Sequence, residues 1–403
     1  MDFKTQLLST IADHAEEIRA IRRHLHMHPE LSFQEEKTAA YVSQCLSKWQ
    51  IDHQKGVGGH GIVALLGDPN KGPVVALRGD MDALPIQEEN EVEYRSQNEG
   101  VMHACGHDVH TACLLGAARA LKEAEGQLKG CVKLIFQPAE ERLPGGASIM
   151  IDDGVLHKPD VWLIFGQHVY PDMEVGHLGF RPGMYMASAD ELYIHVMGRG
   201  GHAALPQKNV DPILISAHLI TAIQQLVSRR SHPSSPTVVS IGKVVAAGST
   251  NVIPKEVYME GTIRCMDETW RKDLHELLTK LCTELCSSMG GSAEVEIRRG
   301  YPCLNNHETL TRWSKKTAAE LHGDAHVHDL DLRMTAEDFA YFAQAVPACF
   351  YRLGVANAAT GKGAPLHTSR FDIDEKALEV GASTMAYLAA MALEEGLDNV
   401  LKD

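Results

Sequence analysis

The sequence predicts an α/β fold, a mainly parallel sheet flanked by helices, with a second α+β domain inserted into it. Three observations lead there. Short apolar runs alternate with amphipathic stretches through the first half of the chain, the pattern changes near residue 187, and after about residue 300 helices and short apolar runs return. The expected boundaries are 1–186 together with 300–403 for the outer domain and 187–299 for the insertion.

The elements follow in order. Leu7, Ile11, Ile18, Ile21 and Leu25 recur at helical spacing and stop near Pro29, which predicts one amphipathic opening helix. Ser32 and Glu35 match a capping box ahead of a second helix, "KTAAYVSQCLSKW". "GPVVALRGD", "GCVKLIFQPAEE" and "DVWLIFGQHV" are apolar runs separated by the helical stretches "HTACLLGAARALKEAE" and "GGASIMIDDGV". Such alternation buries both faces of a parallel sheet under helices. Beyond it come strand "ADELYIHVM", helix "DPILISAHLITAIQQLVSRR", strands "TVVSIGKVVAA" and "EVYMEGTIRC", helix "ETWRKDLHELLTKLCTELCSSM" and strand "SAEVEIRR". That order is the split βαβ arrangement of ferredoxin-like domains. "ACFYRLGV" then returns to the outer domain, and no internal repeat or low-complexity segment occurs.

Acidic residues outnumber basic ones 53 to 38, for a formal charge of -15. That sign argues against a nucleic-acid or anionic-membrane partner and for a small molecule. The amino-terminal stretch lacks a basic start followed by an apolar core, and no run of about 18 apolar residues suggests a membrane helix. Nine cysteines, odd in number and thinly scattered, point to a reducing cytoplasm rather than a disulfide framework.

Gly56, Gly58 and Gly61 in "GVGGHG" have dinucleotide-fingerprint spacing, but an apolar run follows where a helix is required, so a turn is expected. "MHACGHDVH" places Cys105 and His107 two apart, on one face if the chain is extended. These residue types suit a metal, and Cys105 with His103 or His107 also suits a cysteine hydrolase. "QPAEE" ends an apolar run with Glu140 and Glu141, where carboxylates of an α/β fold face the ligand crevice; diverging neighbours would let one hold a metal and the other reach a water. His168 closes "VWLIF" and His367 lies in "PLHTSRFD". Five candidate ligands at the ends of successive elements can build a two-metal site. Asp80 and Asp82 in "LRGDMDALP" could ligate, orient a ligand histidine, or solvate a loop, with Asp82 the better candidate for orientation.

"MHACGHDVH", "QPAEE", "GQHV" and "LHTSRFD", in that order, resemble the metal-dependent aminoacylase and carboxypeptidase family, in its branch of N-acyl-amino-acid amidohydrolases, hippurate hydrolases, auxin-conjugate hydrolases and N-acetyl-diaminopimelate deacetylases. The likeness runs from "RRHLHMHPELSFQEEKTA" through "GASTMAYLA". It implies two divalent metal ions, zinc or manganese first and cobalt or nickel next, on Cys105, His107, Glu141, His168 and His367, with Glu140 as general base and Asp82 in support. Peptidase relatives carry His-x-Asp where this chain has Asp80-Met81-Asp82, which favours the acylase branch. The insertion would then be a lid and dimerisation domain, with His202 steadying the oxyanion and Asn251 and Arg264 gripping the substrate carboxylate, in a homodimer or higher homo-oligomer. The competing readings are the cysteine hydrolase and a non-catalytic metal-binding protein.

Overall fold

The computed structural model describes residues 3–402. The chain divides into two compact units, one formed by residues up to Gly183 with Asn305–Asp331 and everything from Asp338 onward, the other by Met184–Leu304 with Leu332–Glu337. The short return segment joins the inserted unit because the Ala187 amide donates to the Arg333 and Thr335 carbonyls and the Arg333 amide to that of Tyr185. No hydrophobic pattern marks such a backbone bond, so sequence placed those residues with the outer domain.

The larger unit is built on an eight-stranded sheet in the order His53–Val57, Gly61–Gly67, Cys131–Gln137, Val74–Asp80, Leu163–Glu174, Ala348–Ala356, Leu178–Phe180 and Val327–Asp329. Its four central strands run parallel, while the hairpin on one side pairs antiparallel. Val74–Asp80 and Cys131–Gln137 are buried along their whole length, which is why they read as unbroken apolar runs. "GVGGHG" is the turn of the edge hairpin, with Gly58 and Gly59 at positive φ.

Helix His107–Glu123 is buried nearly throughout and packs against Ala377–Glu395 and Ala15–Met27. An all-round apolar surface of this kind marks a core helix rather than an amphipathic one. The opening helix is two, Phe3–Asp13 and Ala15–Met27, interrupted at His14. The capping box does not form either. Helix Glu36–Lys48 is capped by Glu30, whose carboxylate accepts from the Thr38 amide at 2.8 Å, and Ser32 and Glu35 point elsewhere.

The inserted unit is a four-stranded antiparallel sheet in the order Thr237–Val245, Glu256–Cys265, Asp190–Met197, Ser292–Arg299. Helices Pro212–Arg229 and Glu268–Ser288 cover it through Ile215, Leu219, Leu274 and Leu278, which meet Leu192, Ile194 and Val196 in one core. Asp211 and Asp267 cap the two helices by accepting from the Ile213 and Trp270 amides. A short ribbon pairs Gly201–His202 with Val252–Ile253. No helix among the described residues is long and apolar enough to cross a membrane.

Candidate metal centre

The parallel strands of the larger unit bring their carboxyl ends together, where open α/β sheets place ligands. Val74–Asp80 delivers Asp80 and, just beyond, Asp82; Cys131–Gln137 leads to Glu140 and Glu141; Leu163–Glu174 carries His168. Helix His107–Glu123 starts between them. Cys105 and His107 are not in extended chain, because Gly106 takes a left-handed turn at φ 82° ahead of the helix. A Cβ there would lie 2.5 Å from Val169 Cγ2, so only glycine allows this approach to the neighbouring strand.

The ligand atoms of Cys105, His107 and His168 lie within 4.8 Å of one another, as do those of Cys105, Glu141 and His367, and those of His107, Glu140 and Glu141. Cys105 Sγ is 3.4 Å from His168 Nε2, and His367 Nε2 is 3.2 Å from Glu141 Oε1. Glu140 Oε2 and Glu141 Oε1 each stand 3.9 Å from His107 Nε2. The two adjacent carboxylates thus converge rather than diverge, because the strand stops at Gln137 and Ala139 turns the chain at φ 52°. His367 is exposed at the edge of the cluster, also with positive φ, and its amide donates to the Ala104 carbonyl.

Asp82 fixes the arrangement. Its Oδ1 takes the His107 Nδ1 hydrogen at 3.1 Å and the Glu140 amide at 3.0 Å, while Oδ2 takes the Glu141 amide at 3.0 Å and the Ser32 hydroxyl at 2.6 Å. With Nδ1 so engaged, His107 presents Nε2 to the cluster. Asp80 pairs with His110 Nδ1 at 2.6 Å and with Arg78 at 2.6 Å, and His110 Nε2 accepts from the Val169 amide beside His168. The fully buried Arg78 is matched in turn by Asp338 at 2.8 Å and Gln137 at 2.8 Å. A buried guanidinium is tolerable only when its hydrogen bonds are met in this way.

Several of these residues carry no sequence signal of their own. Glu35 is buried, and its Oε1 accepts from the Phe33 and Ala139 amides at 3.0 and 2.8 Å. One carboxylate thereby clamps two non-glycine residues of positive φ, Phe33 and Ala139, the latter bordering Glu140. Burial first, then the Asp82 charge, pushes Glu35 up to about 7. Behind the cluster the buried Arg22 bonds Asp108 at 2.8 Å and Asp372 at 3.1 Å, and so ties the helix start carrying His107 to the loop carrying His367.

The donor set fits a pair of divalent cations. His107 Nε2 is buried and makes no hydrogen bond, although desolvation should force such an atom into one. Burial opposes charge on His107, yet Asp80, Asp82 and Glu141 outweigh it and push the imidazole up to about 10, a local demand for positive charge. A set of sulfur, imidazole and carboxylate donors suits borderline transition metals. The nucleophile reading of Cys105 fares worse. Burial, then Glu141 and Glu140, raises its thiol well above the ordinary range, its sulfur lies 3.4 Å from His168 Nε2, and neither ring nitrogen of His103 makes a hydrogen bond.

The remaining candidates lie in the inserted unit. His202 is exposed, and its Nδ1 accepts from the Ala204 amide at 3.1 Å. Asn251 is exposed and accepts from the Ser249 hydroxyl at 3.3 Å. Arg264 is half-buried and donates to the Ile263 carbonyl at 3.2 Å; burial lowers its guanidinium against an opposing pull from Asp190.

Comparison with known proteins sets these features in a family. Residues 76–391 match the model for peptidase family M20/M25/M40. The chain is 38% identical to an N-acetyl-L-cysteine deacetylase of Bacillus subtilis, covering 93% of this chain and 87% of that one. It is 42% identical to an N-acyl-L-amino acid amidohydrolase of Geobacillus stearothermophilus, over 72% of this chain and 79% of that one. Among solved structures, a dinuclear metal-binding M20 peptidase from Bacillus subtilis superposes with a TM-score of 0.82 at 34% identity, covering 95% of this chain and 99% of the other. With the family model spanning most of the sequence and relatives alike over nearly its whole length, the chain belongs to peptidase family M20/M25/M40.

Proposed function

We propose that the protein hydrolyses the amide bond of N-acyl-L-amino acids, releasing a carboxylate and a free amino acid, in a centre of two divalent metal ions. The observation that carries the reading is the convergence of Cys105, His107, Glu141, His168 and His367 beside Glu140, a carboxylate that metal storage would not need. Those five residues would hold the ions, with zinc or manganese the first choices for a set that mixes thiolate, imidazole and carboxylate. When bound, such ions supply Lewis acidity toward the scissile carbonyl and make a water more acidic.

The protein's own groups do the rest. Glu140 takes a proton from the attacking water and returns it to the amide nitrogen as the C–N bond breaks and a C–O bond forms. Asp82 holds both the Glu140–Glu141 amides and the His107 ring, so base and ligand keep a common geometry. To His202 we assign donation to the developing oxyanion, and to Asn251 and Arg264 the grip on the substrate carboxylate. A half-buried guanidinium whose charge is penalised by burial gains most from an anionic partner. A dimer pairing inserted units would let His202 act on a neighbouring subunit, and nine unpaired, buried cysteines suit a cytoplasmic setting.

The test is release of amino acids from a panel of N-acetyl and N-benzoyl L-amino acids by chelator-stripped protein, before and after addition of zinc, manganese, cobalt or nickel. Metal-restored release is expected, and the ranking within the panel identifies the acyl and amino-acid preference. Equal activity in stripped protein would overturn the metal reading and return Cys105 to consideration as a nucleophile; no cleavage with any metal would leave a binding protein.

A further inference from the structure

Three histidines that are not among the candidate ligands of the metal centre crowd one edge of the larger sheet. His177 lies in the turn between strands Leu163–Glu174 and Leu178–Phe180, held at both ends: its amide donates to the Glu174 carbonyl at 3.3 Å and its carbonyl accepts from the Gly354 amide at 2.8 Å. His326 ends the 3₁₀ turn Asp324–His326, and His328 sits in the edge strand Val327–Asp329. That strand pairs in parallel with Leu178–Phe180, matching Val327 to Leu178 and His328 to Gly179, so the register sets His177 level with His326. The His177 ring meets both of the others, with centroids 4.8 Å from His326 and 5.0 Å from His328, the latter nearly parallel at 20°. Its Nδ1 is 2.7 Å from His328 Nε2.

We propose that His177, His326 and His328 form a surface binding site for a divalent transition-metal cation, of the zinc, nickel or copper class. Two nitrogens each about 2.0–2.1 Å from one ion stand about 3 Å apart, close to the spacing that the His177 and His328 rings already have. His326 and His328 are exposed, and binding would require the His326 ring to turn about its side-chain bonds toward the nitrogens that His177 and His328 already bring together. A hydrogen bond between two exposed rings contributes only about 1 kcal/mol and gives no reason for a third ring to gather there. An all-imidazole set selects borderline metals and rejects magnesium and calcium, which take oxygen ligands.

The experiment uses untagged, metal-loaded protein dialysed against graded micromolar zinc, with bound metal counted per chain by elemental analysis. The wild type is expected to take up one zinc equivalent more than the His177→Ala/His328→Ala double variant, while amide-bond turnover at the carboxylate-rich centre is the same in both. Nickel should reproduce the difference and magnesium should not. Equal zinc content in the two proteins, or a difference seen equally with magnesium, would overturn the proposal. His328→Ala alone, which alters one exposed side chain, repeats the comparison if the double variant melts at a lower temperature.

Discussion

In the larger unit His107 is wholly buried, locked through Nδ1 by Asp82, and surrounded by Asp80, Glu140 and Glu141. In the inserted unit His202 is exposed on a two-residue ribbon, and its ring accepts from the Ala204 amide. The contrast extends to their neighbours. Asp80 and Asp82 are fully committed to hydrogen bonds inside a core of packed strands, whereas the Asn251 side chain accepts from the Ser249 hydroxyl at 3.3 Å and Arg264 donates to the Ile263 carbonyl. Preorganisation at a reacting centre requires fixed dipoles, and burial supplies them. Groups that take hold of a substrate as it arrives can be left in solvent, free to adjust. Substitutions in the larger unit should therefore act on chemistry and metal retention, and those in the inserted unit on transition-state contacts and binding.

The largest expected effect tests the first half of that contrast. Glu140→Gln keeps the shape of the side chain and removes the proposed base, so turnover should fall by about 10²–10⁴-fold while metal content and substrate affinity persist. Metal analysis and inhibitor titration alongside the kinetics separate the two. Near-normal turnover would remove Glu140 from the mechanism.

His202→Ala tests the other half. Loss of an oxyanion donor costs about 10²–10³ in kcat, with KM and metal content little changed. Mixing the Glu140→Gln and His202→Ala proteins under conditions that exchange subunits tells which chain His202 serves. If His202 serves a neighbouring subunit, the mixture regains activity that neither parent has; if it serves its own chain, the mixture stays inactive.

A smaller effect is expected one step removed from the ligands. Asp82→Asn leaves a side chain of the same size but replaces one acceptor oxygen with a donor, where Glu140 and Glu141 offer N–H groups and Ser32 a hydroxyl. Metal affinity should fall about 10–100-fold, the range for loss of a residue that orients a ligand histidine. Excess metal should restore much of the rate, which separates Asp82 from Glu140.

How much of this was legible in the sequence follows from the same contrast. The inserted unit stands out by periodicity, since strand Asp190–Met197 alternates buried with less buried positions and helices Pro212–Arg229 and Glu268–Ser288 each start at an aspartate cap. The candidate ligands stand out because cysteine, histidine and glutamate are conspicuous at the ends of apolar runs. Their supports do not. Arg78 looks like a surface charge within "VVALRGD" and is fully buried; His110 looks like a spare histidine and links Asp80 to the strand of His168. Ser32 and Glu35 fit a local capping rule, but tertiary partners win: Asp82 takes the serine, the Ala139 turn takes the glutamate, and Glu30 caps the helix. Local rules see spacing along the chain, whereas these bonds join residues brought together only by the sheet.

The inserted unit does contain one buried charge network, and its position sharpens the comparison by separating stability from function. Asp190 opens the strand Asp190–Met197, bonds Arg271 Nε at 2.9 Å and His275 at 2.8 Å, and accepts from the Gly300 amide at 3.1 Å. Burial alone would raise its carboxyl, but Arg271 and His275 outweigh burial and hold it at about 2, against 3.8 for an unperturbed aspartate. The native unit therefore binds fewer protons than the unfolded chain, and this contribution to stability is complete above the unfolded value and lost as pH falls through about 2. Its size is on the order of 2 kcal/mol at neutral pH. Asp190→Asn should remove that acid dependence, so that the protection of amides in strands Asp190–Met197 and Glu256–Cys265, relative to their unstructured exchange rates, is lower at pH 7 and loses no further contribution from this site between pH 4 and about 2. Exchange in the strand Val74–Asp80 of the larger unit should be unaltered by the substitution, and a loss of metal there would show that the two units do not hold their charges independently.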